Sequence, residues 1–289
     1  MTAAGTTVAL AKATTVEARW FWTGGELLQD AVVGLREGRI CEIKAEQALG
    51  DRAVDLLLPG LVNAHSHSFQ RAFRGVVQAG RPNDDFFTWR EAMYATANEL
   101  SPDGVEAVAR LCFMEMAEAG VTAVGEFHYL HHDPVGRPYD DPDELARRVV
   151  QAALDVGIRV TLLRCAYARS GFGQPPTQAQ RRFIDGSPDD VLAAAQRLSQ
   201  GADPRVNVGL APHSVRAVPA EWLPEFASFD GPVHAHVAEQ DSEVQACFRA
   251  HGCSPLNLFA QAGLVNERFT AVHLTLPSDG DTQTITESG

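Results

Sequence analysis

The rhythm of apolar positions changes near residue 56. Before it, the stretches EARWFWTGG, DAVVGLREGRICEIKAE and RAVDL alternate apolar and polar residues and are broken by Gly24, Gly25, Gly34 and Gly38. That period of two is the mark of short strands. After it, apolar runs at 56–63, 121–127, 158–165, 206–211, 233–237 and 270–274 alternate with segments of helical character. Ser101 and Pro102 open one helix that Gly120 closes, and Ser187 and Pro188 open another that Gly201 closes. Further helices are expected over 142–156, 242–250 and 255–262, each followed by a glycine.

These patterns predict a small β domain over residues 1–55, then repeated strand and helix units over 56–276. Such units imply a parallel sheet, and a (β/α) barrel is the usual home for this many. Closing a TIM barrel takes eight strands, whereas the pattern supplies six. The expectation is therefore an α/β fold of (β/α)8 TIM-barrel type, truncated after about six strands. The polar stretch 277–289, PSDGDTQTITESG, is expected to be irregular.

Composition narrows the function. A chain of 289 residues that is 45% hydrophobic is ordinary for a globular protein. The formal charge of −13 and the lack of a Lys/Arg block argue against nucleic acid or an acidic membrane as partner. No run of about 18 apolar residues occurs, and the Ala/Thr-rich start with its single Lys12 lacks the design of a secretion signal. Five dispersed cysteines without a CxxC read as reduced thiols, which predicts a cytoplasmic location.

Candidate chemistry gathers at strand ends. Nine of the ten histidines fall there and only His251 lies on a helix. His65 and His67 are two apart at the end of the first run, so a strand projects both from one face. The second run leads into EFHYLHH with Glu126, His128, Tyr129, His131 and His132, of which the last two are expected in a solvated loop. The fourth ends in His213 and Arg216, the fifth in His234, His236 and Glu239, and the sixth in His273. Zinc suits such a set: it accepts imidazole nitrogen, keeps a position for water and lowers the pKa of that water to about 7. Glu239 is placed to move a proton from the water to a leaving amine. Phosphate-loop, GxGxxG, HExxH and GxSxG motifs are absent.

Taken together, LPGLVNAHSHSFQRAFRG, APHSVRAV and HAHVAEQ resemble the amidohydrolase superfamily, and TWRE with GEFHYLHHDP most resembles its formimidoylglutamate deiminases. The resemblance extends to about residue 275. It implies one zinc per chain, with iron and manganese still open, and hydrolysis of N-formimidoyl-L-glutamate to N-formyl-L-glutamate and ammonia. It implies His65, His67 and His236 as ligands, Glu239 as proton shuttle and His273 as the residue assisting the attack. Gln70, Arg90, Tyr129, His213 and Arg216 match positions that bind substrate. Two arginines are also what a small dicarboxylate needs, since each can grip one carboxylate.

One implied ligand, an Asp at the end of an eighth strand, has no counterpart here. Asp279 and Asp281 follow His273 by only six and eight residues, and Asp279 is the candidate substitute. The chain therefore reads as a truncated deiminase whose uncovered strand edges favour pairing with another copy. Two other functions stay open: deamination of an aminated heterocycle such as guanine, and a non-catalytic metal-binding remnant.

Overall fold

The computed structural model describes residues 14–75 and 86–288. The amino-terminal stretch lies, as far as residue 13, outside the described residues. The chain divides into two compact units after Gly60.

The first unit is one sheet of β1 (Thr14–Trp22), β2 (Leu27–Arg36), β3 (Arg39–Lys44) and β4 (Val54–Leu57), in the order β3-β2-β1-β4. β1 and β3 pair antiparallel with β2, and β4 runs parallel to β1. Glu37 and Gly38 take φ of 52° and 71°, the left-handed pair that a tight hairpin needs to match strand twist. Phe21, Ala31 and Val33 form its small core.

The second unit carries six parallel strands in sequential order: β5 (Leu61–Ser66), β6 (Val121–His128), β7 (Arg159–Ala166), β8 (Val206–Pro212), β9 (Val233–Val237) and β10 (Phe269–His273). They form an arc of a TIM-type barrel, with the helices α1 (Phe86–Glu99), α2 (Pro102–Glu118), α3 (Glu144–Val156), α4 (Pro188–Ser199), α5 (Asp241–His251), α6 (Pro255–Gln261) and α7 (Asp279–Ser288). Serine side chains open three of these helices, Ser101 and Ser187 as expected and Ser254 in addition: they accept from the N–H of Gly104, Asp190 and Asn257, each ahead of a proline. Gly157 and Gly252 close α3 and α5 in the left-handed conformation.

The strands pack tightly where side chains are smallest. A Cβ on Gly125 would lie 2.6 Å from the Ala64 carbonyl oxygen, so only glycine lets β6 approach β5 this closely. Val160, Leu162, Leu163, Leu210 and Ala235 fill the interior, which is why these strands read as apolar runs instead of alternating ones.

Three expectations need correction. The apolar run 56–63 is not one strand: Pro59 and Gly60 break it, so Leu56 and Leu57 pair in the first unit and β5 starts at Leu61. The stretch 277–289 is not irregular, because α7 occupies most of it. Ser278 and Asp281 cap its start reciprocally: the Asp281 N–H donates to Ser278 Oγ at 3.2 Å, and the Ser278 N–H donates to Asp281 Oδ2 at 2.8 Å. His131 and His132 are not in a solvated loop either. His131 is buried, its Nε2 accepting from the Arg164 guanidinium at 2.6 Å, while His132 donates from Nε2 to the Ile184 carbonyl at 2.8 Å.

Arg182 ties this region together. Its guanidinium is fully buried and donates to the carbonyls of His132, Ala97 and Leu100, so it joins the end of α1 to the loop after β6. Arg182→Leu is expected to cost at least about 3 kcal/mol, because three buried acceptors lose their donors. A lower urea midpoint with an unchanged denaturant slope would show it.

Candidate metal centre and active site

All six parallel strands send a side chain from their carboxyl ends into one cavity of about 330 Å³. Its lining includes His65, His67, Gln70, Arg90, Tyr129, His213, Arg216, His236, Glu239 and His273, the residues to which the family resemblance gives a role, but not Glu126, His128, His131, His132 or His234. The carboxyl end is where barrels of this type place their chemistry.

At its floor, His65 Nε2 lies 3.1 Å from His67 Nε2, which lies 3.2 Å from His236 Nε2. Among the described residues this is the one group of three or more donors that converges closely enough for a metal ion. Main-chain carbonyls fix two of the rings. His67 donates from Nδ1 to the Phe127 carbonyl at 2.8 Å, and His236 donates from Nδ1 to the His213 carbonyl at 3.0 Å. A carbonyl can only accept, so both Nδ1 atoms carry the proton and both Nε2 atoms present lone pairs.

Neither ring takes up a second proton near neutral pH. Burial, aided by nearby His65, lowers His67 to about 3, and burial together with neighbouring His213 holds His236 well below the usual histidine range. Two lone pairs facing each other across 3.2 Å need a cation between them. A tetrahedral ion with bonds of about 2.0–2.1 Å to imidazole would set its nitrogens about 3.3 Å apart, so the donor set fits a divalent metal. His234, although on the same face of β9, stays outside the cluster and is buried beside Gly125.

Behind the floor, Glu126 holds the turn after β5. Its Oε1 accepts from the N–H and the Oγ–H of Ser68, both at 2.7 Å. Burial pushes its carboxyl up to about 7 against those bonds. This anchor sets the residue next to His67 and so the direction of that ring.

Glu239 stands at the rim just beyond β9. Ala238, His273 and Leu274 here take φ of 50°, 72° and 46°, a region L residues seldom occupy. Two bonds hold the bend: the Leu274 N–H donates to the Val237 carbonyl at 2.9 Å, and the Thr275 hydroxyl donates to the Ala238 carbonyl at 2.9 Å. As a result Glu239 Oε1 faces His273 Nε2 at 3.6 Å, and its Oε2 accepts from Arg216 at 2.9 Å.

Some contributors are not signalled by sequence motifs. Glu243, on the first turn of α5, is buried, accepts the Glu239 N–H at 3.1 Å and lies 3.6 Å from Arg216. Burial raises its carboxyl above the usual range although Arg216 opposes this. Helix α1 adds Trp89, Arg90, Met93 and Tyr94, whose spacing marks one helical face. On the wall, Gln70 donates to the Tyr129 hydroxyl at 2.8 Å, and the Arg90 guanidinium sits 5.8 Å from the centre of the Tyr94 ring. Asp279 does not join the metal cluster, and Asp281 is buried against Ser254, Asn257 and Ser278.

Comparison with known proteins gives the same picture. The Amidohydrolase family model matches residues 56–289. The formimidoylglutamate deiminase of Pseudomonas aeruginosa is 41% identical over 88% of this chain and 57% of its own length. The 5-methylthioadenosine/S-adenosylhomocysteine deaminase of Halobacterium salinarum is 29% identical over 90% of this chain and 56% of its own. The chain thus spans little more than half the length of these relatives. Among solved structures, an amidohydrolase from Brucella melitensis superimposes with a TM-score of 0.87 at 35% identity, covering 95% of this chain and 63% of that one.

The depressed histidines make a test of the site. An unfolded chain starts to bind protons on these rings near pH 6.5, whereas the fold keeps them neutral. The metal-free protein should therefore lose stability as pH falls from 6.5 toward 4. His67 and the buried His128, each lowered to about 3, contribute about 1.4 kcal/mol per pH unit apiece. Urea unfolding at several pH values measures this, and one equivalent of added zinc should raise the midpoint at pH 7 but not in His67→Ala.

Proposed function

The chain belongs to the amidohydrolase family, and from that premise we propose that it carries the machinery for hydrolytic deimination of N-formimidoyl-L-glutamate, yielding N-formyl-L-glutamate and ammonia. One observation carries the substrate: Arg90 and Arg216 line the same cavity as the three-histidine cluster, in a chain with a formal charge of −13. Two guanidinium groups beside a metal centre match a small molecule with two carboxylates and one hydrolysable C–N unit. The 41% identity to a formimidoylglutamate deiminase supports the same reading.

His65, His67 and His236 would hold the ion, and three imidazoles favour zinc over harder cations such as magnesium, with metal analysis deciding between zinc, iron and manganese. When bound, the metal supplies the Lewis acidity that makes a water ionisable near neutral pH. Glu239 takes one proton as the water oxygen attacks the formimidoyl carbon and delivers it to the imino nitrogen, then carries the remaining hydroxyl proton to the same nitrogen as the C=O bond forms, the C–N bond breaks and ammonia leaves. His273, 3.6 Å from Glu239, donates to the oxygen on which charge develops. Arg216 serves both partners: it keeps the Glu239 carboxylate in place until a substrate carboxylate arrives to share its five donors. Gln70 and Tyr129 form the wall against which the formimidoyl group is oriented. The free cysteines accord with a reducing, cytoplasmic setting.

A second reading has support of its own. Trp89, Tyr94, Tyr129 and Tyr167 give the cavity aromatic walls, as a ring substrate would require, and an 8-oxoguanine deaminase of Pseudomonas aeruginosa is 27% identical over 77% of the chain.

Ammonia release by the zinc-loaded chain separates the readings. Formimidoylglutamate should be turned over and guanine should not. Glu239→Gln is expected to lower kcat by at least about 100-fold, and Arg216→Ala to raise KM more than it lowers kcat. Turnover of guanine alone would transfer the site to a heterocyclic substrate, and zinc binding without any turnover would leave a metal-binding module.

A further inference from the structure

The cavity wall contains a hydrogen-bond network with one proton more than it can use. Tyr94 and Tyr167 are buried side by side, their hydroxyl oxygens 3.4 Å apart, and both line the cavity. Behind them Gln180 is almost wholly buried. Its orientation follows from its neighbours: Oε1 accepts from the Thr177 N–H at 2.9 Å and from the Thr177 hydroxyl at 3.1 Å. Its Nε2 therefore faces the tyrosines and donates to Tyr167 at 2.8 Å and Tyr94 at 3.1 Å.

Both phenol oxygens are thus acceptors toward Gln180, and each still carries its own hydrogen. Burial keeps the Tyr167 phenol protonated by raising it well above the usual tyrosine range. One hydrogen can be used between the two tyrosines. The other has no acceptor among the described residues, and it lies at the wall of the cavity. A buried donor left without a partner costs about 1–3 kcal/mol, so the wall is built to meet an acceptor.

We infer that Tyr94 and Tyr167, oriented by Gln180, form a hydroxyl donor site for a substrate carboxylate. A carboxylate is acceptor-only and does not compete with Gln180 for the phenol lone pairs. The Arg90 guanidinium over the Tyr94 ring supplies the matching charge. The identity of the ligand rests on the dicarboxylate reading above, whereas the direction of the free hydrogen does not. Sequence separation of 86 residues between Tyr94 and Gln180 hides this arrangement from any motif.

The test is calorimetric binding of glutarate, a plain dicarboxylate, and of N-formyl-L-glutamate to the zinc-loaded chain. Tyr94→Phe and Tyr167→Phe keep the rings and remove the hydroxyls. Gln180→Glu keeps all three side chains but accepts from both phenols, which draws their hydrogens away from the cavity. At least one Phe variant and Gln180→Glu should weaken glutarate binding about 10-fold or more, the scale of a hydrogen bond to a charged group, with metal content and melting temperature near wild type in the Phe variants. Unchanged glutarate affinity in both Phe variants, or no glutarate binding by the parent chain, overturns the proposal, the hydroxyl then serving water alone. If glutarate binding depends on the tyrosines while formimidoylglutamate is not hydrolysed, the carboxylate site stands and the substrate reading falls.

Discussion

Two imidazole nitrogens that face each other without a proton to share, with a third from His65 beside them, are the constraint around which the second unit is arranged. Each ring arrives from a different local context. His65 and His67 come from the end of β5 and the residue beyond it, while His236 comes from β9 across the arc. The Phe127 carbonyl near the end of β6 and the His213 carbonyl after β8 hold the Nδ1 protons. Four strands must therefore be in register before the donors meet. Glycine at 125, the buried Glu126 under Ser68 and the left-handed bend at Ala238 all serve that register.

Charge in the cavity is balanced with little to spare. Arg216 answers both Glu239 and Glu243, and burial would lower its guanidinium were those carboxylates not holding it above its ordinary value. An anionic ligand entering here meets an arginine already engaged, so its binding involves an exchange of partners as well as an addition. The second arginine, on α1, stands against aromatic rings. The two are thus suited to different tasks, one near the reacting group and one along the wall.

Much of this was legible in the sequence, and the reason is periodicity and capping. Five of the six barrel strands and the helices opened by Ser and Pro follow from local rules, because burial on both faces gives apolar runs and the unsatisfied helix N–H groups demand an acceptor. The two-residue spacing of His65 and His67 placed both on one face, and the family resemblance chose His236 over His234. Helix α1 escaped because its apolar residues serve two surfaces, the core through Ala97 and the cavity through Trp89 and Met93, which blurs a single stripe. Helix α7 escaped because it is almost wholly polar and depends on the Ser278 and Asp281 cap. Glu243 and Gln180 escaped for a different reason: each acts through partners that only the tertiary fold brings near.

The carbonyls that accept from His67 and His236 belong to the main chain, while the Phe127 and His213 rings pack against the same imidazoles, Phe127 at 4.4 Å and His213 at 4.7 Å from the His236 ring centre. The His213 oxygen even receives two donors from one residue, the ring and the backbone N–H of His236. The hydrogen-bond acceptor for each ring is therefore independent of which residue supplies it. The side chain at 213 faces the cavity and touches the His236 ring, while the carbonyl oxygen that accepts from that ring is present in every amino acid. A scaffold wired in this way can diversify its chemistry of recognition by single substitutions without rebuilding its centre, which gives a lineage of related enzymes room to diverge.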